Sequence, residues 1–327
     1  MRTGMHFVNP THLPGKDGVT IAVQSIMLAF RLRLASVGFA LPLLIPVRRL
    51  CVVAALAVGG CSGRTDHEVA SDAGAHEVQP PAASDATVRD AGADEVGPRL
   101  PTLSVLFVGN SFTQVNDLPA NVQQLAATTS IGPMIDVESE TVGGATFVSH
   151  WTGYGGADAQ TPIAKANHTH VVLQGQSGEP LIYPETFAEY GALLVNAAKA
   201  AGAKPVLYET WAYKGSEFYA QASWSGGSPA AMQNALSAAY EKLGAETGAT
   251  VAPVGEAWRV AWTEHPEIEL YQADGRHPSA AGTYLAACVF YIVLTERPLA
   301  ASSAVPAGVA AADATVLRSI ATRVATK

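Results

Sequence analysis

From residue 103 to 108 the chain reads L-S-V-L-F-V, a short, branched, apolar run that stops at Gly109. Apolarity sustained over so few residues fits a strand buried on both faces, as in a parallel sheet covered by helices. Runs of the same character stand at 135–138, 170–173, 205–208 and 250–254. Over 117–129 the period changes, placing Leu118, Val122, Leu125 and Ala126 on one side of a helix. Helical spacing is also expected at about 185–202, 230–247 and 279–294, with a last amphipathic helix over 309–324. Strands and helices alternating at these lengths predict an α/β domain over 102–327, a three-layer α/β/α sandwich with a mostly parallel sheet. Ligands of such sheets lie beyond the carboxyl ends of the strands, so the loops there are the ones to search.

Upstream the pattern is different. Residues 34–47 are apolar but broken by Pro42 and Pro46, and Arg48 and Arg49 then precede L-C-V-V-A-A-L-A-V-G-G, which runs into Cys61. Two positive charges, an apolar stretch and a small-residue end are the three regions of an export signal, here 47–60. The V-G-G-C ending resembles a bacterial lipobox, and that resemblance implies a diacylated Cys61 as mature N-terminus. It also implies a lipid-anchored place in the bacterial cell envelope, with Ser62 in the next position pointing to outer rather than inner membrane. The alternative is a buried apolar helix in which Cys61 is a small core residue. Residues 1–46 have no place in such a signal, and a GTG start codon at Val47 would account for them. Residues 62–99 hold no aromatic, Leu, Ile or Met and are dominated by Ala, Asp, Glu and Pro. Such a segment buries too little to offset its ordering entropy, so 61–101 is expected to be a disordered tether, reaching roughly 35 Å.

The net charge of −8 removes the counterion-release term behind most nucleic-acid binding, and no nucleic-acid partner is expected. Deleting 1–60 removes six Lys/Arg against one acid and leaves the chain more acidic still. Only 15% of residues are charged, so Ala, Ser, Thr, Gln and Gly must carry much of the surface. Cys51, Cys61 and Cys288 make neither a disulfide framework nor a C-x-x-C pair, and Cys288, inside L-A-A-C-V-F-Y, reads as core. His150, His168 and His170 lack companions at metal-ligand spacing and read as structural or surface residues, so no metal site is expected. G-x-S-x-G fails at Ser177 because Glu179 takes the last Gly position, and no P-loop or dinucleotide fingerprint is present.

Two loops carry chemistry. The first strand ends in G-N-S-F-T (109–113), which puts Ser111 at the sheet edge with its hydroxyl exposed and its N–H turned toward an anion-favouring helix start. Alone, Ser111 reads as a helix cap. The last large helix opens with D-G-R-H-P-S (274–279), where Asp274 can accept from one imidazole nitrogen of His277 and leave the other free to take a hydroxyl proton. Alone, that is a polar turn with Ser279 as cap.

Together, and in this order, the two motifs resemble those of the GDSL-like, or SGNH, hydrolases, in particular a branch with G-N-S-F-T in place of G-D-S. The resemblance spans about 103–296, nearly all of the expected domain. It implies Ser111 as nucleophile with His277 and Asp274 as its triad partners, and it requires no cofactor. It also implies an oxyanion hole made by Ser111 N–H, the Gly144 N–H in T-V-G-G-A (141–145) and a side-chain amide. The loop L-Q-G-Q-S (173–177) stands where most of the family has Gly-x-Asn-Asp, which sets Gln176 against the Asn donor, with Gln174 the next candidate. Gln174 is also expected to bind substrate, and Glu209 and Trp211, just after the fourth strand, to line the acyl or sugar pocket, with Trp211 as core the alternative. The function implied is an extracytoplasmic serine esterase removing small acyl groups such as acetyl, with an acylated carbohydrate or other small ester as partner. Two readings compete with it: a lipase or thioesterase on the same machinery, and a carbohydrate-binding lipoprotein without turnover.

Overall fold

The apolar runs become neighbours in one sheet. A computed structural model of the protein describes residues 101–129, 132–300 and 303–326. In chain order they form β1 (Leu103–Gly109), α1 (Ser111–Gln114), α2 (Leu118–Ala127), β2 (Ile135–Thr141), α3 (Phe147–Thr152), α4 (Gln160–Ala164), β3 (His170–Leu173), α5 (Glu179–Ile182), α6 (Pro184–Ala200), β4 (Lys204–Tyr208), α7 (Ser216–Gln221), α8 (Pro229–Thr247), β5 (Thr250–Ala252), α9 (Val254–Glu264), α10 (Ala280–Thr295) and α11 (Ala311–Ala325). All five strands run parallel in the order β2-β1-β3-β4-β5. The chain leaves β1 toward one edge and returns past it to build the other, so the crevice between the ends of β1 and β3 is the switch point where such sheets bind ligands.

The sheet's two faces follow from strand periodicity. Val105 and Phe107 point into a core shared with Val122, Leu125, Leu285, Phe290 and Leu317, while Leu106 and Val108 point the other way, toward Phe147, Phe187, Leu194 and Tyr240. Helices α2, α9, α10 and α11 therefore cover one face and α3, α4 and α6 the other, with α8 reaching both. The apolar sequence of α10 is explained by its place: it packs on α2 and α11, and Phe290 meets Phe107 and Tyr208 edge-on at 5.5 and 4.8 Å between ring centroids.

The expected three-layer α/β architecture is present, with differences at the ends of elements. β2 continues past residue 138 because β1 pairs with it in register as far as Gly109 opposite Thr141. β5 stops at Ala252 because Pro253 offers no N–H to the ladder, and the chain turns at once into α9, which the hydrophobic pattern did not predict. The short helices α1, α3, α4, α5 and α7 were also not predicted, being too brief for a 3.6-residue period to register. The expected signal, Cys61 and the tether as far as residue 100 lie outside the described residues. Among the described residues no helix is long and apolar enough to cross a membrane.

Candidate active site

The loop that carries Ser111 is built on absent and present hydrogen-bonding atoms. A Cβ at Gly109 would fall 2.5 Å from Thr113 Oγ1 and 2.6 Å from Gln174 Oε1, so only glycine lets the loop close over the strand end. Asn110 caps α1, its Oδ1 accepting from Phe112 N–H at 3.1 Å, and its Nδ2 donates to Ala145 O at 3.0 Å. An ionised Asp could make the first bond and not the second, which accounts for G-N-S here. Ser111 is the first residue of α1, so its N–H is one of those that no carbonyl of the helix takes.

Asp274 and His277 arrive from the far end of the chain, 166 positions beyond Ser111 in the case of His277. Asp274 Oδ1 accepts from Arg276 N–H (2.9 Å) and His277 N–H (3.0 Å), and its Oδ2 faces His277 Nδ1 in a short contact. A carboxylate only accepts, so Nδ1 carries the ring proton and Nε2 is left to accept from Ser111 Oγ, 2.9 Å away. Partial burial of Asp274 works against its charge, but the hydrogen bonds from the His277 ring and the two N–H groups outweigh it and hold the carboxyl below its ordinary range. Asn116 fixes the two loops to each other, its Nδ2 donating to Pro278 O (3.0 Å) and to Thr283 Oγ1 (2.9 Å). The sequence contained Asn116 in plain view but gave no sign of this role, because its partners lie more than 160 positions away.

The two other loops meet beside this one. Gly144 has φ +71°, a left-handed conformation natural to glycine, in an exposed turn held by Val142 N–H on Gly109 O (3.2 Å). Gln176 is half-buried in the loop after β3. Its Oε1 accepts from Gly178 N–H at 2.8 Å, and its Nε2 makes a long 3.3 Å contact with Ser177 Oγ. Tyr213 Oη closes on that same Ser177 hydroxyl.

Three expected pocket residues are corrected. Gln174 is fully buried and its amide is spent: Oε1 accepts from Asn110 N–H (3.0 Å) and Thr113 Oγ1 (2.8 Å), and Nε2 donates to Asn110 Oδ1 and Gly175 O (2.8 Å each). It supports the Ser111 loop from beneath and has no group left for a substrate. Trp211 is fully buried too, stacked between Phe112 (4.5 Å) and Trp258 (3.8 Å), with its indole N–H on Arg276 O at 2.9 Å. Phe112 follows Ser111 and Arg276 precedes His277, so the indole registers the two loops against one another instead of lining a pocket. Glu209 is buried beneath β4, accepting from Gln233 Nε2 (3.0 Å) and Ser237 Oγ (2.9 Å), and burial pushes its carboxyl up to about 7.

A cleft of about 430 Å³ is lined by Glu217, Phe218, Gln221, Ala222, Trp224 and Arg276, the residue before His277 in the chain. The Arg276 guanidinium lies over Tyr213 (5.1 Å) and Phe218 (5.5 Å). No sequence pattern marks this cleft, because α7 and the turn after it are too short to carry one. The three histidines take structural places: His150 on Gly109 O, His168 on Glu138, His170 on Thr169. Among the described residues no cluster of three or more His, Cys, Asp or Glu is placed to hold a metal ion, and Cys288 is buried.

No family model and no curated protein matches the chain significantly. Solved structures do. A protein from Slackia heliotrinireducens described as an SGNH hydrolase is 34% identical, over 59% of this chain and 99% of that one, with a TM-score of 0.50. A DUF4886 family protein from Bacteroides uniformis is 19% identical over 68% of this chain and 94% of its own, with a TM-score of 0.56, a likeness of fold.

Proposed function

Because the chain belongs to the SGNH hydrolases, serine enzymes that cleave ester bonds, we propose that it removes small acyl groups, acetyl above all, from carbohydrate. The observation that carries the reading is the line Ser111 Oγ, His277 Nε2, His277 Nδ1, Asp274 Oδ2, whose first link is 2.9 Å. Ser111 Oγ adds to the ester carbonyl carbon as its proton passes to His277 Nε2, and Asp274 steadies the imidazolium. The carbonyl oxygen, now negative, is received by the N–H groups of Ser111 and Gly144 and by Gln176 Nε2. Collapse breaks the bond to the alcohol, which leaves with the proton from His277. Water then repeats the steps on the acyl-enzyme and releases the acid.

The open setting supports a substrate whose bulk stays outside: the Asp274 and His277 side chains are 45% and 33% exposed. The cleft that Arg276 lines supports a sugar as the alcohol. Trp224 and Phe218 offer flat apolar faces to the C–H side of a ring, and Arg276, Glu217 and Gln221 offer planar groups to its hydroxyls. Trp224→Ala should therefore lower kcat/KM for an acetylated oligosaccharide about tenfold, mostly through KM, as the loss of one aromatic contact would. The same variant should leave p-nitrophenyl acetate hydrolysis unchanged. In the wild type, acetate should be cleaved faster than longer acyl esters. A preference for octanoyl esters would make the protein a lipase or thioesterase, and absence of turnover on every ester would leave a binding protein.

The V-G-G-C sequence and the acidic, aromatic-free stretch after it support anchoring to the outer membrane through a lipidated Cys61. Membrane-extracted protein should then lack any intact peptide across Gly60–Cys61 by mass spectrometry; recovery of that peptide would overturn the anchor.

A further inference from the structure

Behind the two loops assigned to the oxyanion lies a carboxylate that the triad does not use. Glu179, at the start of α5, is 1% exposed. Both of its oxygens lie 3.1 Å from Phe147 N–H, and Oε2 also accepts from Gln176 N–H at 2.9 Å. In return Glu179 N–H donates to Gln176 O at 2.8 Å, so the Gln176 backbone is held on both sides. Phe147 stands three residues after Gly144 in the chain. One carboxylate thus bridges the segment that presents the Gly144 N–H and the segment that presents the Gln176 amide.

The arrangement is costly for a group with a merely structural task. No Lys, Arg or His among the described residues pairs with Glu179. Burial pushes its carboxyl up to about 7 against the pull of the Phe147 and Gln176 N–H groups. The rings of Phe147 and Phe187 stack at 5.2 Å immediately beside it, flanking Gly175. An apolar side chain would fill such a place at lower cost, but it would leave two N–H groups without an acceptor and the two loops without a common reference.

We propose that Glu179 is the positioning residue of the oxyanion hole: its carboxylate fixes the Gly144 turn and the Gln176 amide relative to each other without touching substrate. The proposal rests on the esterase reading above. Glu179→Gln keeps the side-chain volume but turns one acceptor oxygen into an NH₂ that must face an N–H donor. On p-nitrophenyl acetate the variant should lose about 10- to 100-fold in kcat with KM within about threefold, because a misplaced oxyanion donor is felt only in the transition state. The decisive measurement is the double variant. If Glu179 acts through Gln176, adding Gln176→Ala to Glu179→Gln should cost far less than the same change costs in the wild type.

Active sites are counted by fluorophosphonate labelling of Ser111, so that a smaller folded fraction does not count as a lower kcat. Wild-type kcat per labelled site in Glu179→Gln, or losses that simply multiply in the double variant, would overturn the role. Should Glu179→Gln fail to fold, Glu179→Asp retains the charge on a side chain one methylene too short to serve both loops. It should show the same split between kcat and KM, and wild-type kcat there would overturn the role equally. A wild type that labels at Ser111 yet turns over no ester would instead overturn the esterase reading, and the role of Glu179 with it.

Discussion

Ser111→Ala is expected to lower ester turnover by about 10⁴- to 10⁶-fold while leaving the fold intact. The two halves of that statement have separate grounds. The Ser111 hydroxyl lies 2.9 Å from His277 Nε2, and among the described residues its hydrogen bond is to that nitrogen rather than to the scaffold. Removing it takes nothing from the supports of the loop, which are Gly109, Asn110 and Gln174, so stability should change by less than about 1 kcal/mol. His277→Ala should be nearly as damaging, and the double variant little worse than either, because proton acceptor and nucleophile act as one unit. Turnover of p-nitrophenyl acetate with parallel circular dichroism decides it: a folded Ser111→Ala enzyme working at the wild-type rate would move the nucleophile elsewhere.

Gln176→Ala is the second large effect, about 10²- to 10³-fold in kcat, or roughly 3–4 kcal/mol, with KM nearly unchanged. Its amide is oriented in advance, since the Gly178 N–H holds Oε1 at 2.8 Å and Nε2 makes a long 3.3 Å contact with Ser177 Oγ. A donor placed in this way gains strength as negative charge develops on the substrate and contributes little before that. A rise in KM with kcat preserved would show instead that Gln176 binds the ester in its ground state. A kcat within about threefold of wild type would remove it from the hole altogether, far short of the loss of a donor.

Gln176 and Gln174 show where sequence reading stops. They stand two apart on the loop leaving β3 and carry the same amide, yet the Gln174 side chain turns under the Ser111 loop and is fully bonded there while that of Gln176 stays half-buried. That choice is made by Asn110 and Thr113, more than 60 positions earlier, and no local pattern encodes it. Trp211 and Glu209 were placed correctly at the sheet edge and wrongly toward the substrate for the same reason: the loop after β4 folds back over the core, a direction set by Phe112, Trp258 and Gln233. Ser111, Asp274 and His277 were legible because their requirements are short-range, a strand that ends in a tight turn and an Asp-x-x-His closed within one loop. The strands were legible as buried runs, whereas α9 was not, because it starts directly from β5 without polar residues to separate them.

The tie between Asn116 and the loop that begins α10 has a consequence for the order in which the protein becomes itself. Ser111 leaves the ribosome early, yet its imidazole and the groups that hold it, Pro278 and Thr283, follow about 160 to 170 positions later. Until α10 docks, the serine is an ordinary alcohol. That docking also supplies much of the core on one face of the sheet, so a late piece of the fold and the contact between Ser111 and His277 come into being together. The nascent chain is in this sense latent, because Ser111 and the imidazole that faces it are far apart in the order of synthesis.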